Sequence, residues 1–123
     1  MRNNYAVGTD IVEVDRIREL SVRHGNRFFQ HVFTEQEVQW CESRANPYIH
    51  LAGRFAAKEA AKKALLALGE PESIPVKLIE IHRAENGPPM VKLRGTLSQT
   101  YRFQLSISHT TSLATAVVIA ETQ

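Results

Sequence analysis

Residues 48–68 read YIHLAGRFAAKEAAKKALLAL, and Gly69 follows. Alanine has the highest intrinsic helix propensity, and Leu, Lys and Glu rank close behind it. The stretch therefore predicts one long helix from about Tyr48 to Leu68. Asn46-Pro47 breaks the chain in front of it, and Gly69 is a good residue for the turn that ends it. A helix this rich in alanine also lets other backbones come close. Toward the N-terminus, Thr34 and Glu37 form a Thr-x-x-Glu capping box, which predicts a shorter helix from Glu35 to about Arg44. Val14 to His24 has helical composition with a stop at Gly25. Tyr5 to Val14 is rich in Val and Ile and reads as a strand.

The chain changes character beyond Gly69. Val76 to Arg83 reads as a strand, Glu85-Asn86-Gly87-Pro88-Pro89 as a turn, and Met90 to Arg94 as the returning strand of a hairpin. Thr96 to Phe103 is expected to form a short helical turn. Gln104 to Ser108 alternates polar and apolar, and Leu113 to Glu121 is apolar and β-branched, so both read as strands. One strand, then helices, then antiparallel strands gives an α+β fold, an antiparallel sheet packed with one long helix and shorter ones.

The chain has 123 residues, 43% of them hydrophobic and 23% charged, which is ordinary for a globular protein and too apolar for a disordered one. No repeat or linker divides it, so residues 1–123 read as a single domain. No apolar run approaches the roughly 20 residues that cross a bilayer. Met1-Arg2-Asn3-Asn4-Tyr5 lacks an apolar signal core, and Cys41 stands alone; both fit a cytoplasmic location. A net charge of +2 argues against nucleic acid as the partner.

Two carboxylates stand among apolar neighbours. Strand side chains alternate, so Asp10 shares a face with Ala6, Gly8, Val12 and Val14. Glu59 lies in a helical stripe with Ala52, Phe55, Ala56, Lys63 and Leu66. Asp10 could be satisfied by backbone amides or an arginine, and Glu59 by an i,i+4 pair with Lys63. Alternatively the two converge on a hard cation, since two carboxylates with phosphate oxygens and waters make a typical Mg²⁺ site. Arg54, Lys58 and Lys62 form a cationic row at four-residue spacing, either a solvated face or the grip on a pyrophosphate. Ser106, Ser108, His109, Thr110 and Thr111 cluster at a strand end, as a turn or as a phosphate grip. No Gly-x-Ser-x-Gly elbow, Walker loop or Gly-x-Gly-x-x-Gly occurs, and the other histidines have no zinc-ligand spacing.

These blocks carry a resemblance. Gly8-Thr9-Asp10-Ile11-Val12-Glu13-Val14-Asp15-Arg16-Ile17 closely resembles the opening motif of the holo-[acyl-carrier-protein] synthases, small 4′-phosphopantetheinyl transferases. Gly53-Arg54-Phe55-Ala56-Ala57-Lys58-Glu59-Ala60 is similar to their second signature, Val32 to Glu37 to the segment between, and Ser106-Ile107-Ser108-His109-Thr110 with Ala114 to Glu121 to their C-terminal one. The resemblance implies transfer of the 4′-phosphopantetheine arm of coenzyme A to a serine of apo-acyl carrier protein, with adenosine 3′,5′-bisphosphate leaving. It implies Mg²⁺ on Asp10 and Glu59, with Glu59 or a metal-bound water acting on the serine, and Lys63 at the phosphoryl oxygens. Arg54, Lys58, Ser108, His109 and Thr110 would bind coenzyme phosphates, with Asn86-Gly87 in a loop near the coenzyme. It implies a homotrimer in which His109 serves a neighbour's Asp10 and Glu59. Arg16, Leu20 and Arg23 share a helix face, which is either plainly solvated or suited to an acidic carrier-protein helix. The sequence departs from the family at Leu66-Ala67-Leu68, where a Gly-Thr-Gly run is common, which bears on the coenzyme pocket. A homologue that binds coenzyme A or carrier protein without transferring anything is the competing reading.

Overall fold

In the computed structural model, which describes residues 4–84, 86–95 and 100–123, the alanine-rich stretch is one helix, α4 (Pro47–Ala67). Pro47 occupies its first turn, where a missing N–H costs nothing. At the other end Glu70 N–H donates to Leu65 C=O (3.0 Å) and Gly69 N–H to Leu66 C=O (3.0 Å). That is a Schellman closure, and it needs the positive φ of +104° that Gly69 adopts. The helix thus runs through Leu66-Ala67, and the glycine stop comes only at Gly69.

Ahead of α4 come β1 (Tyr5–Glu13), α1 (Val14–His24), α2 (Asn26–Val32) and α3 (Glu35–Glu42). Behind it come a 3-10 turn (Val76–Leu78), then β2 (Ile79–Arg83), β3 (Pro89–Leu93), β4 (Tyr101–His109) and β5 (Leu113–Thr122). All pairing is antiparallel. β5 is the centre of a three-stranded sheet ordered β1-β5-β4, and β2 with β3 forms a separate two-stranded sheet. The fold is α+β, as expected, with the strands divided between two sheets.

α4 lies on the inner face of the larger sheet, and small residues let it lie close. Ala52, Ala56, Ala57, Ala60, Ala61 and Ala64 are fully buried, and Ala114, Ala116 and Ala120 of β5 are buried with them. At Gly8 of β1 the approach is closest: a Cβ there would stand 1.8 Å from the Ala60 carbonyl oxygen. Only a residue without a side chain permits that contact. The alternation expected for β1 holds, with Gly8 and Val12 buried and Tyr5, Val7, Thr9 and Ile11 exposed.

A buried ion pair ties the second sheet to the helices. The capping box is complete: Glu37 Oε1 accepts from Thr34 N–H (2.7 Å) and Thr34 Oγ1 from Glu37 N–H (3.2 Å). The same carboxylate accepts Lys58 Nζ of α4 (2.8 Å) and, through Oε2, Ile81 N–H of β2 (2.8 Å). Lys58 also donates to the carbonyls of Ile79 (2.7 Å) and Val76 (3.3 Å). Burial pulls the lysine down from its ordinary pKa, and Glu37 opposes that shift. Cys41, the chain's one cysteine, is fully buried, and burial pushes its thiol up to about 11, so it stays protonated at neutral pH.

Several expectations need correction. α2 was not anticipated; Gly25 (φ +50°) ends α1 and leads directly into α2, where Phe28 and Phe29 pack against Phe33. Val76–Leu78 is a 3-10 turn behind Pro75, so the strand begins only at Ile79. Of the helical turn expected at Thr96 to Phe103, residues 96–99 lie outside the described residues, and Tyr101–Phe103 are strand. Tyr101 is buried there and donates its hydroxyl to Glu70, which fixes the strand end against the α4 stop. Among the described residues no helix is long and apolar enough to cross a membrane.

Removing one member of a buried pair strands the other charge. Glu37→Ala is expected to lower the unfolding free energy by about 3–5 kcal/mol in urea denaturation. The double variant Glu37→Leu/Lys58→Met is expected to recover part of that loss, the Thr34 and Ile81 N–H groups still lacking their acceptor; no recovery at all would show that the stranded lysine is not what costs the single variant.

Candidate active site

Asp10 and Glu59 come to one cleft from different elements. Two residues beyond the Gly8 contact, Asp10 projects from the inner face of β1, and Glu59 precedes Ala60 on α4. A cavity of about 440 Å³ is lined by both, with Glu13, Arg16 and Ile17 at its edge and Phe55 as an apolar wall. Lys63 donates to Thr9 C=O (2.9 Å) and Asp10 Oδ1 (3.2 Å). Its ion pair is therefore with Asp10 across the helix–strand seam, not the i,i+4 pair with Glu59. The Asp10 side chain is 19% exposed and the Lys63 side chain 55%. The donors here are carboxylate oxygens without His or Cys, a set that fits a hard cation and leaves positions for water and substrate oxygens.

A second recess lies toward the N-terminal end of α4. Its groove, about 1010 Å³, is lined by Trp40, Arg44, His50, Arg83, Asn86 and Gly87 among others. Asn86 holds a left-handed conformation (φ +61°), which asparagine tolerates better than most residues. Arg83 Nε donates to Gly87 C=O (2.7 Å) and closes the hairpin. Arg54 lies under this groove, 4% exposed, with its guanidinium 3.9 Å from the centre of the Trp40 ring. Its Nε is buried and has no hydrogen-bond partner. Burial lowers the Arg54 pKa. His109, at the end of β4, meets the His50 ring edge-on at 5.8 Å. Burial, then the charges of His109, Arg54, Arg44 and Arg83, hold His50 below its ordinary 6.5.

The family model described as the 4′-phosphopantetheinyl transferase superfamily matches residues 6–118. A holo-[acyl-carrier-protein] synthase of Chlamydia trachomatis serovar L2 is 44% identical over 119 residues, covering 95% of this chain and 99% of the relative. The chain belongs to the holo-[acyl-carrier-protein] synthases. The Thermodesulfovibrio yellowstonii synthase is 41% identical over 113 residues, covering 92% of this chain and 95% of its own. Among solved structures, the Chronobacterium ammoniagenes ACPS–CoA complex aligns with a TM-score of 0.81 at 30% identity, covering 98% of this chain and 99% of that one. The Helicobacter pylori synthase in complex with coenzyme A aligns at 0.80 and 28% identity, covering 94% and 99%.

In this synthase the residues singled out from sequence divide into three groups. Asp10, Glu59 and Lys63 meet at the first cleft. Asn86 and Gly87 line the second recess, which shares no lining residue with the first; Arg54 and His109 adjoin it through Trp40 and His50. Along α4, His50 and Glu59 are nine residues apart, about 13 Å at the helical rise. Lys58 departs from its expected phosphate role: its ammonium is fully buried and directed to Glu37 and two backbone carbonyls, so it faces the core. The row with Arg54 and Lys62 is accordingly not one surface. Ser106 and Ser108 are exposed and alternate with His109, so they point to the outer face of the sheet. Thr110 Oγ1 accepts from Ser112 N–H (3.2 Å) and Leu113 N–H (3.1 Å), the work of a turn residue. Arg16 and Arg23 are exposed on α1 and Leu20 is half-buried between them.

Sequence reasoning missed Trp40, Arg44, His50 and Arg83 as members of the second recess. The i,i+4 spacing of Trp40 and Arg44 was the available local signal; the approach of Arg54, His50 and Arg83 to the same indole is tertiary.

Because His50 titrates below its ordinary value in the folded chain, its neutral form contributes stability above pH 6.5 that is lost as pH falls through the lowered value. A histidine ring-proton NMR titration is expected to give a His50 midpoint below 6.5 that moves up in Arg44→Gln. A midpoint at or above 6.5 would contradict the charge environment described.

Proposed function

We propose that this synthase transfers the 4′-phosphopantetheine arm of coenzyme A to a serine hydroxyl of an apo-acyl carrier protein and releases adenosine 3′,5′-bisphosphate. The observation that carries this reading is the meeting of Asp10 and Glu59 at one cleft with Lys63 on its rim. The serine oxygen bonds to the β-phosphorus of the coenzyme pyrophosphate, the bridging P–O bond breaks, and the bisphosphate leaves with the electron pair. Asp10 and Glu59 would hold Mg²⁺, which when bound neutralises charge on the pyrophosphate oxygens. Glu59 would orient the hydroxyl or accept its proton. Lys63, more than half exposed, is free to turn from Asp10 toward the phosphoryl oxygens once the carboxylate is otherwise neutralised. Positioning and electrostatic stabilisation are what phosphoryl transfer chiefly requires of a protein.

Arg54, His109, Asn86 and Gly87 bind the coenzyme phosphates and nucleoside in this reading, with Ser108 and Thr110 at the rim. The coenzyme A complexes of the two aligned structures support it. The separation of the two recesses within one chain supports a homotrimer in which His109 of one subunit faces Asp10 and Glu59 of another. So does the outer face of the larger sheet, where Tyr5, Val7, Ile11, Val117 and Ile119 are exposed. Arg16, Leu20 and Arg23 offer the carrier protein a basic face with one apolar anchor. A cytoplasmic setting accords with the lone buried thiol.

Incubation with coenzyme A, Mg²⁺ and apo-carrier protein is expected to add one phosphopantetheine arm by mass. Asp10→Ala and Glu59→Ala are each expected to lose on the order of 100-fold or more in rate. Full rate in either variant rejects the metal assignment, and coenzyme binding without transfer to any carrier favours the non-catalytic reading.

The shared site makes a second prediction. Asp10→Ala and His109→Ala chains, each inactive alone, are expected to regain activity after being unfolded and refolded together, because mixed trimers contain some intact sites. Absence of regain, with trimers confirmed by light scattering, would place the whole site within one subunit.

A further inference from the structure

The recess at Trp40 gathers three arginines around one indole. The guanidinium carbons of Arg54, Arg44 and Arg83 stand 3.9, 4.1 and 5.9 Å from the centre of the same ring. Among the described residues none of the three is in an ion pair and no carboxylate lines the groove itself; Glu37 and Glu80 line the adjoining cavity on the Arg54 side of the indole. The buried Arg54 Nε lacks even a hydrogen-bond partner. Like charges this close repel, and the negative face of the indole offsets that repulsion, together with the Glu37 carboxylate acting on Arg54 from the core side. His50 completes the arrangement, with its ring 5.2 Å from that of Trp40 and nearly perpendicular at 86°. Among the described residues, the groups that act on His50 all disfavour its proton: His109 from β4, Arg44 from just beyond α3, Arg83 from β2 and Arg54 from its own helix.

We propose that Trp40 is a positioning residue, which holds the Arg44 and Arg54 guanidinium groups ready for an incoming phosphate, and that His50 takes up a proton from solvent as the phosphate arrives. The ligand chemistry is a phosphate monoester or pyrophosphate, and the proposal rests on reading this groove as a coenzyme-phosphate site. Without an anion, a proton on His50 would add to three cationic neighbours, Arg44, Arg54 and Arg83. With a phosphate dianion among the arginines, the same proton is favoured. Binding then consumes a proton, so affinity rises as pH falls. A cation stacked on a rigid indole also has less freedom to lose on binding than a free arginine side chain.

Trp40 is the chain's single tryptophan, so its fluorescence reports on this recess whether or not transfer occurs. Inorganic pyrophosphate, coenzyme A and 3′-dephospho-coenzyme A would each be titrated at pH 6 and pH 8, following Trp40 emission. The expected result is a saturable change, with coenzyme A binding about threefold or more tighter at pH 6. His50→Phe keeps the ring but cannot titrate. It is expected to remove the pH difference beyond that from the ligand's own phosphate ionisation, and Arg44→Gln to weaken binding about tenfold. Loss of affinity in 3′-dephospho-coenzyme A alone assigns the groove to the 3′-phosphate, and equal affinity assigns it to the pyrophosphate.

In steady state, Trp40→Ala is expected to raise KM for coenzyme A about tenfold with kcat within about twofold, and Trp40→Phe to recover most of the change. Melting curves matching the wild type exclude a folding defect as the cause. Emission blind to all three ligands, or an unchanged KM in Trp40→Ala, overturns the positioning role. Tighter binding at pH 6 that persists undiminished in His50→Phe overturns the proton uptake. A wild-type chain that responds by fluorescence but transfers nothing would overturn the transferase reading and leave this one standing.

Discussion

The contact between Gly8 and the Ala60 carbonyl sets the geometry of the rest. A helix backbone laid directly on a strand has almost no freedom to slide, because any Cβ at Gly8 would occupy the space of the oxygen itself. Asp10 is two residues from that contact on the same strand face, and Glu59 is the residue before Ala60. The two carboxylates are therefore located by one close-packed point rather than by loops. Rigid elements hold functional groups more accurately than loops do. The alanines of α4 and β5 extend the same approach along the seam. Each buries little area, so the larger side chains at the periphery, Ile17, Phe33, Leu51, Leu65, Ile79 and Ile81, supply most of the apolar burial.

The cations of α4 show how one helix sorts identical charges by what they meet. Lys58 enters the core and finds three acceptors, so its burial is satisfied. Arg54, one turn earlier, is nearly as buried but has an aromatic face and an unpartnered nitrogen. Lys63 stays largely in water and bridges to the neighbouring strand. A satisfied buried ion is a structural element, because moving it would strand its partner. An unsatisfied one at the wall of a groove is a binding element, because an anion improves its situation. The distinction separates Lys58 from Arg54 although both belong to the same four-residue row.

That sorting also explains what could be read without coordinates. Helix ends, the capping box, the hairpin turn and the alternation of β1 depend on neighbours a few residues away, and they were legible. The meeting of Asp10 and Glu59 was legible only as one of two alternatives, favoured by the family resemblance, since the alanine-rich helix invites a close neighbour without saying which. The fate of Lys58 was not, because its partners Glu37 and Ile79 are distant in sequence and a basic residue at that spacing equally describes a wet surface. α2 was missed because Phe28-Phe29 in a seven-residue segment carries no clear period. Tyr101 to Phe103 was read as helical although it continues the alternation of β4. The reason the strand wins is tertiary: Tyr101 is anchored on Glu70 and Phe103 pairs opposite Ala120.

The larger sheet has a gradient across its outer face that bears on how the two recesses could act together. Antiparallel register sets Val7, Ile119 and Gln104 in one row, Thr9, Val117 and Ser106 in the next, and Ile11, Thr115 and Ser108 in the third. Apolar groups thus concentrate on β1 and β5, and hydroxyls line β4 at the edge. A second copy covering the apolar rows would bury what is otherwise an exposed hydrophobic surface, leaving the Ser108 edge at the rim of the contact. Ser108 and His109 point to opposite sides of β4, so within one chain they cannot serve the same cavity. Across an interface that obstacle is removed, because the cleft of one subunit can face the outer side of β4 while the adjoining recess approaches from its end. In a trimer assembled in this way, transfer would depend on assembly: the carboxylates and the arginines around Trp40 lie in separate recesses of each chain, and association would join them into one site.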